Sequence, residues 1–358
     1  MKTIARLALQ PGMELGEDIR NNQGDVVIPA HTIVDDTVLT RLARLNVMAV
    51  QIMEDLDYAT TYYEKIRFSE SFRAFEKAYR EQFTKYKAMM NALVDYDTPV
   101  DTTALLSIYE TLTKQVGSNI RMLEYLNNMM LSEDELTHTH CLNSALIAGV
   151  FADWLSMDAN EKETSILCAY FYDIGKLKLP YDLLWKPGKL TDVEFAQIKT
   201  HPLLGFQMVQ NQTNLNPHVI KSILMHHERC DGTGYPSKLK MHQIDPYARF
   251  IAIIDAYEAM TSARSYRQSL TPLQVVARFE ESGLVQYDYE ILRPIINHIA
   301  DSQIGLTVKL NNDSTWEIFM LNQTKLSRPV LKRTHPETGE MEFLDLLKRP
   351  DLEILTIH

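Results

Sequence analysis

Cysteine is scarce in this chain. Cys141, Cys168 and Cys230 are the only three in 358 residues, too few and too scattered for a disulfide framework or a cysteine-rich zinc site. They read as reduced thiols in a reducing compartment. Long apolar runs are missing as well. No stretch reaches the roughly 18 residues that a membrane-spanning helix needs, and Met1–Gln10 has no signal-peptide core. A soluble, cytoplasmic protein is the expectation. Excess positive charge is also lacking: 36 Lys and Arg face 47 Asp and Glu, a formal net charge of −11. That balance excludes a general DNA or RNA coat and a membrane-surface binder, but leaves room for a local basic pocket that takes a small anion. Internal repeats and low-complexity tracts are absent. What is present is ordinary globular material, 45% apolar, and the length suits two or three domains.

The texture changes along the chain in a way that predicts a mainly α protein in four parts. Residues 1–60 are short apolar runs broken by Pro11-Gly12, Asn21–Gly24 and Ile28-Pro29, with a strand over Gly24–Ile28 and a short helix capped by Asp35. This reads as a small α+β amino-terminal domain. Residues 61–131 carry two helical stripes. Phe68, Phe72, Phe75, Tyr79, Tyr86, Met90 and Leu93 recur at helical spacing through Tyr62–Leu93, which holds no Gly or Pro, so one long amphipathic helix is expected. Thr98-Pro99 interrupts, and Leu105, Ile108, Leu112, Val116, Leu123 and Leu126 form the second stripe. A helical hairpin or stalk follows, packing within the chain or pairing two copies as a homodimer through residues 62–93. Residues 132–302 are a helical bundle with capping boxes at Ser132, Thr191 and Thr271. Residues 303–358 alternate around Asn311–Asp313 and Pro336–Gly339 as a small β-meander.

Chemistry concentrates in the third part. Asp173 ends the apolar run Ile166–Tyr172, and Asp255 interrupts another, Phe250–Tyr257. An unpaired buried carboxylate is too costly to persist ionised, so each needs a cation. A buried Arg or a helix cap is one answer; a metal ion shared with histidines is the other. His226-His227 arrive at the end of a helix predicted from Pro217, and Asp231-Gly232-Thr233-Gly234 then makes a tight turn. His140 lies near the start of an apolar helix, and His201-Pro202 follows the helix capped by Thr191. The candidate metal ligands are therefore His140, Asp173, His201, His226, His227 and Asp255. Mixed imidazole and carboxylate donors suit iron, manganese, zinc or nickel rather than calcium, and Asp173 is the candidate bridge between two ions. His31, His138, His218, His242, His298, His335 and His358 are assigned to surface or packing.

In order and spacing these residues resemble the HD-GYP family, a branch of the HD-domain metal-dependent phosphohydrolases that degrades cyclic di-GMP. The match covers roughly Glu135–Ala300. It includes Tyr172-Asp173-Ile174-Gly175-Lys176, Lys186–Thr191, His201-Pro202, His226-His227-Glu228 with Asp231–Pro236, Ile254–Thr261, and Arg264 to Arg267. The Pro11-Gly12-Met13 segment is similar to a leader domain found on many members. The resemblance implies two divalent ions, iron or manganese, and hydrolysis of cyclic di-GMP to the linear dinucleotide pGpG, to GMP, or to both. It implies Lys176 as a proton donor or charge neutraliser acting beside Asp173. Arg264 and Arg267, spaced i, i+3, would grip phosphate. Gly234-Tyr235-Pro236 would lie near the guanine or ribose, and in the family this loop also mediates protein contacts.

Two positions depart from the family pattern. Tyr172 stands where the family has the first residue of its His-Asp pair. A phenol, with a pKa of about 10, binds a divalent ion poorly, although ferric iron could remove its proton and make Tyr172 a ligand. The site nearest Tyr172 then keeps His140, Asp173 and Asp255, while Asp173, His201, His226 and His227 complete the other. Leu136 replaces the Glu of three-metal members, so two ions at most are expected. The expected function is a cyclic di-GMP phosphodiesterase with a modified first metal site. The alternatives are a receptor that keeps the pocket without turnover, and a hydrolase of another cyclic dinucleotide.

Overall fold

The computed structural model describes residues 2–6, 9, 13–20, 26–30, 32–45, 47–52, 62–129, 135–184, 186, 188–262, 270–335 and 339–357. Arg264 and Arg267, together with Pro11, Gly12 and the Ser132 capping box, lie outside the described residues. The chain forms two compact units, Met1–Phe68 and Ser69–His358.

The first unit is α+β. Strand β1 (Lys2–Ala5) pairs antiparallel with β4 (Ala49–Ile52), and β2 (Ile19–Arg20) with β3 (Val26–Ile28). Between β3 and β4 runs α1 (Asp36–Arg44), started by Asp35, which accepts a hydrogen bond from Val38 N at 2.6 Å. Leu15, Ile28, Val34, Leu42 and Val50 form its core. The short helix α2 (Tyr62–Arg67) ends the unit.

The second unit is mainly helical. Its helices are α3 (Glu70–Tyr96), α4 (Thr102–Thr113), α5 (Asn119–Asn128), α6 (Leu136–Trp154), α7 (Ala159–Phe171), α8 (Tyr181–Leu184), α9 (Asp192–Ile198), α10 (His201–Val209), α11 (Pro217–Met225), α12 (Pro246–Thr261), α13 (Pro272–Arg278), α14 (Leu284–Gln286) and α15 (Tyr289–Asp301). Thr191 and Thr271 make the expected capping boxes. The expected single helix over Tyr62–Leu93 is instead two, because Ser69 turns out of helical geometry and caps α3 through Phe72 N at 3.2 Å.

The α3 stripe is consumed inside the chain. Phe72, Phe75, Tyr79, Phe83, Tyr86, Met90 and Leu93 are all buried, and Tyr125 of α5 packs its ring on Phe72 and Phe75. Burying each such side chain is worth roughly 1.5–3 kcal/mol, so this face cannot be released to a second copy without unfolding the helix. It gives no basis for a homodimer. The polar ends of the same stripe reach inward: Tyr79 Oη donates to Asn143 of α6 at 2.7 Å, and Tyr86 Oη to the Tyr170 carbonyl of α7 at 2.8 Å.

Beyond α15, five strands form one antiparallel sheet: β5 (Thr307–Leu310), β6 (Thr315–Met320), β7 (Val330–Thr334), β8 (Met341–Asp345) and β9 (Ile354–Ile357), in the order β8-β7-β6-β5-β9. The first four are the expected meander. β9 was not anticipated, since it returns across the sheet to pair with β5.

α6, α7 and α12 form the centre of the bundle, and α6 is buried throughout His138–Ala152. After α7 the chain tightens into a 3-10 turn, Ile174–Lys178, that packs on α10. Contact there is backbone to backbone: a Cβ added at Gly175 would lie 1.9 Å from the His201 carbonyl oxygen and 2.5 Å from Gly205 N. Gly175→Ala must therefore push α10 away, and overpacking of this kind costs about 1–3 kcal/mol. Gly117→Ala, with nothing within 4 Å, is the matched control. Urea denaturation should show a lower midpoint for Gly175→Ala and a midpoint close to the parent for Gly117→Ala.

Candidate metal centre

Five helices, or the residues that directly follow them, deliver six donor side chains to one place. Asp173 follows the end of α7, His201 opens α10, His226 and His227 follow α11, and His140 and Asp255 project from α6 and α12. Within this cluster two groups hold their donor atoms within 4.8 Å of one another: Asp173, His201, His226 and His227, and separately His140, Asp173 and Asp255. Asp173 belongs to both. Its Oδ1 lies 3.1 Å from His201 Nε2 and 3.5 Å from His226 Nε2, while its Oδ2 lies 3.4 Å from His140 Nε2 and 2.5 Å from Lys176 Nζ.

The proton positions decide what these short distances mean. His201 Nδ1 faces the Ile198 carbonyl at 2.8 Å, and His226 Nδ1 faces that of Ile223 at 2.9 Å. A carbonyl only accepts, so each Nδ1 carries its hydrogen, and in the neutral ring Nε2 is left with a lone pair. Those two Nε2 atoms nevertheless approach to 3.2 Å, and Asp173 Oδ1 is buried and accepts no hydrogen bond. With both rings neutral, three electron-rich atoms point at one another. A cation at their meeting point turns that repulsion into coordination, and the carbonyl contacts are the usual means of fixing a ligand histidine's tautomer. The residues present fit a metal ion.

The second group is arranged alike. His140 Nδ1 donates to Glu258, and His140 Nε2 faces Asp255 Oδ1 at 3.0 Å. Glu258 also accepts from Asn143 Nδ2 at 3.0 Å and from Ser262 Oγ. Burial alone would lower the His140 pKa, but Glu258, Asp255 and Asp173 outweigh it and push it up to about 10. Without an ion, His140 is an imidazolium. Burial likewise opposes ionisation of Asp173, and Lys176 outweighs it, holding the carboxyl well below its ordinary range. Burial lowers His201 and His227, keeping both neutral.

Tyr172 is fully buried, its ring edge-on to His140 at 5.5 Å and to His226 at 5.0 Å. Its hydroxyl is paired with Ser144 Oγ at 3.0 Å. Burial, then the Asp255 and Asp173 charges, raise the phenol far above its ordinary pKa. The loop after α11 is pinned by Glu228, buried and accepting from Ser237 N at 2.6 Å and Leu239 N at 2.8 Å. Gly234 is required there, because a Cβ would lie 2.4 Å from Arg229 N. Tyr235 stacks on His227, centroids 4.6 Å apart at 27°, so one of its faces is spent on a donor imidazole rather than on a base. Pro236 follows it in the same loop. Sequence reasoning named Glu228 only as part of the His226-His227-Glu228 motif, without a role, and did not single out Glu258. The signal for Glu258 was its position three residues after Asp255, on the same helix face.

Residues 124–291 match the family model described as "HD domain". The chain is 31% identical over 202 residues to "Cyclic di-GMP phosphodiesterase PA4108" of Pseudomonas aeruginosa, covering 56% of this chain and 48% of that protein. It is 34% identical over 174 residues to a "Cyclic di-GMP phosphodiesterase" of Thermotoga maritima, covering 48% and 47%. It is also 34% identical over 152 residues to "3'3'-cGAMP-specific phosphodiesterase 1" of Vibrio cholerae, covering 42% and 34%. The chain thus spans about half, or less, of the length of these curated relatives. Among the described residues no helix is long and apolar enough to cross a membrane.

Because His140 holds a proton that a cation must displace, ion uptake and pH are linked. The folded pKa is raised from 6.5 to about 10, so the ion-free protein gains stability from this group below about pH 6.5 and loses it as pH rises through about 10. Affinity for an ion in the His140 group should rise over the same window. Calorimetry of Mn²⁺ uptake near pH 8, in two buffers of different ionisation enthalpy, should show close to one proton released per chain. Glu258→Gln should reduce that number, and zero release in the parent contradicts the assignment.

Proposed function

We propose, from the premise that residues 124–291 are an HD domain of the HD-GYP kind, that this chain is a metal-dependent phosphodiesterase acting on cyclic di-GMP. The observation that carries the reading is the Asp173 carboxylate, which turns one oxygen to each of two donor groups with Lys176 on the same carboxylate. Two ions held there, transition metals by the donor chemistry and iron or manganese by the family resemblance, would supply Lewis acidity toward a phosphoryl oxygen and a water of lowered pKa.

The chain's own side chains do the rest. Burial would lower the Lys176 pKa, but Asp173 and Asp255 raise it above the ordinary value, so the ammonium keeps a proton for the departing 3′ alkoxide. Glu258 fixes the His140 ring through Nδ1, and the Ile198 and Ile223 carbonyls fix His201 and His226. Tyr172 acts as a wall rather than a ligand: its hydroxyl is committed to Ser144, and its ring closes the space between His140 and His226. The His140 group then offers three protein donors, leaving the remaining positions of an ion to water and substrate. Arg264 and Arg267 complete the proposal as phosphate ligands on the segment between α12 and α13. The product is the linear dinucleotide, GMP, or both. A second substrate, a cyclic dinucleotide with one adenine, is supported by the likeness to the Vibrio cholerae protein named for 3'3'-cGAMP.

The test is purification without chelator, addition of Mn²⁺ or Fe²⁺, and chromatography of products from cyclic di-GMP and from 3′3′-cGAMP. Linear product should accumulate, fastest from cyclic di-GMP, and Lys176→Met should lower kcat by about 10²–10⁴-fold. Nucleotide that binds yet stays cyclic after long incubation would make the chain a receptor. Faster cleavage of 3′3′-cGAMP would transfer the assignment to that substrate.

A further inference from the structure

The rim of the centre carries a cation that the chemistry above leaves unused. Lys199 follows the last residue of α9, two positions before His201. Its Nζ lies 4.4 Å from the ring centroid of Phe195 and 5.3 Å from that of Tyr235, the same Tyr235 that stacks on the donor imidazole of His227. Among the described residues no carboxylate pairs with Lys199. Of the two acidic residues of α9, Asp192 and Glu194, the nearer in sequence, Glu194, is taken by Lys186 and by its own capping box.

Lys176 and Lys199 therefore differ in kind. The first is already bonded to Asp173. The second is held by aromatic faces, which fix an ammonium in place without cancelling its charge. Such a group is preorganised for an anion that arrives with the ligand. Phe195, the nearer of the two rings, is itself exposed. A cyclic dinucleotide brings two phosphates, and only one can occupy the Asp173 centre at a time. We propose that Lys199 binds the second phosphate, selecting ligands that carry two linked phosphates over those that carry one. The inference rests on the cyclic dinucleotide reading and adds to it a specificity-determining residue.

Equilibrium binding to the full chain tests it, with chelated and with manganese-loaded protein, using cyclic di-GMP and linear GpG as probes. GpG keeps both guanosines but has a single phosphate. The parent should prefer cyclic di-GMP; Lys199→Met should weaken cyclic di-GMP about tenfold or more, as loss of one charge-assisted hydrogen bond does, and leave GpG nearly unchanged. Lys199→Arg should restore the preference. In turnover, the same Met variant should raise KM for cyclic di-GMP with kcat little altered. Equal weakening of both probes, or an unchanged preference and KM, overturns the role of Lys199 while leaving the phosphodiesterase reading intact. A parent chain that binds neither probe in either state overturns both.

Discussion

Everything at this centre is organised around one carboxylate withdrawn from water. Asp173 is completely buried, and an isolated charge in that position is prohibitively expensive. The surrounding chain stabilises it with positive charge on one oxygen, from Lys176 and the His140 imidazolium, yet aims two imidazole lone pairs at the other. The second half of that arrangement makes sense only with a cation. The backbone contact between Gly175 and α10 is what brings His201 close enough to share Asp173, so the tight 3-10 turn and the metal centre are a single constraint.

A second line of support runs from the aromatic stripe of α3 into the same place. Tyr79 donates to Asn143, Asn143 to Glu258, and Glu258 accepts from His140. The helix that looked like a stalk is thus the outer layer of the bundle, and one of its buried hydroxyls, that of Tyr79, lies three hydrogen bonds from a donor histidine. Polar networks buried in this way are rigid when every member is satisfied, which suits side chains whose orientation decides whether an ion is bound.

Much of this was legible in the residues alone. Asp173 and Asp255 stood out because they end or interrupt apolar runs, and His140, His201, His226 and His227 because they sit near helix starts and ends; the expected division into two groups sharing Asp173 is the division the donor atoms make in space. Lys176 followed from the family resemblance, which places it three residues after Asp173. Other features were hidden for physical reasons. Glu258 is unremarkable in one dimension; only the folded packing of α12 on α6 carries it to a histidine 118 positions away. Tyr235 promised a ring for a base, but a loop pinned by Glu228 turns that ring onto His227. The break at Ser69 was masked by an unbroken apolar period, and β9 by pairing that is entirely non-local. The stripe that suggested two copies is satisfied within one.

The central claim is that Asp173 bridges two ions, one in each donor group. Anomalous diffraction at the manganese edge from crystals grown with excess Mn²⁺ tests it most directly. Two peaks about 3.5–4 Å apart, flanking the Asp173 carboxylate and both lost in Asp173→Ala, are the expected result. A single peak touching neither oxygen of Asp173, or no peak at all, contradicts it.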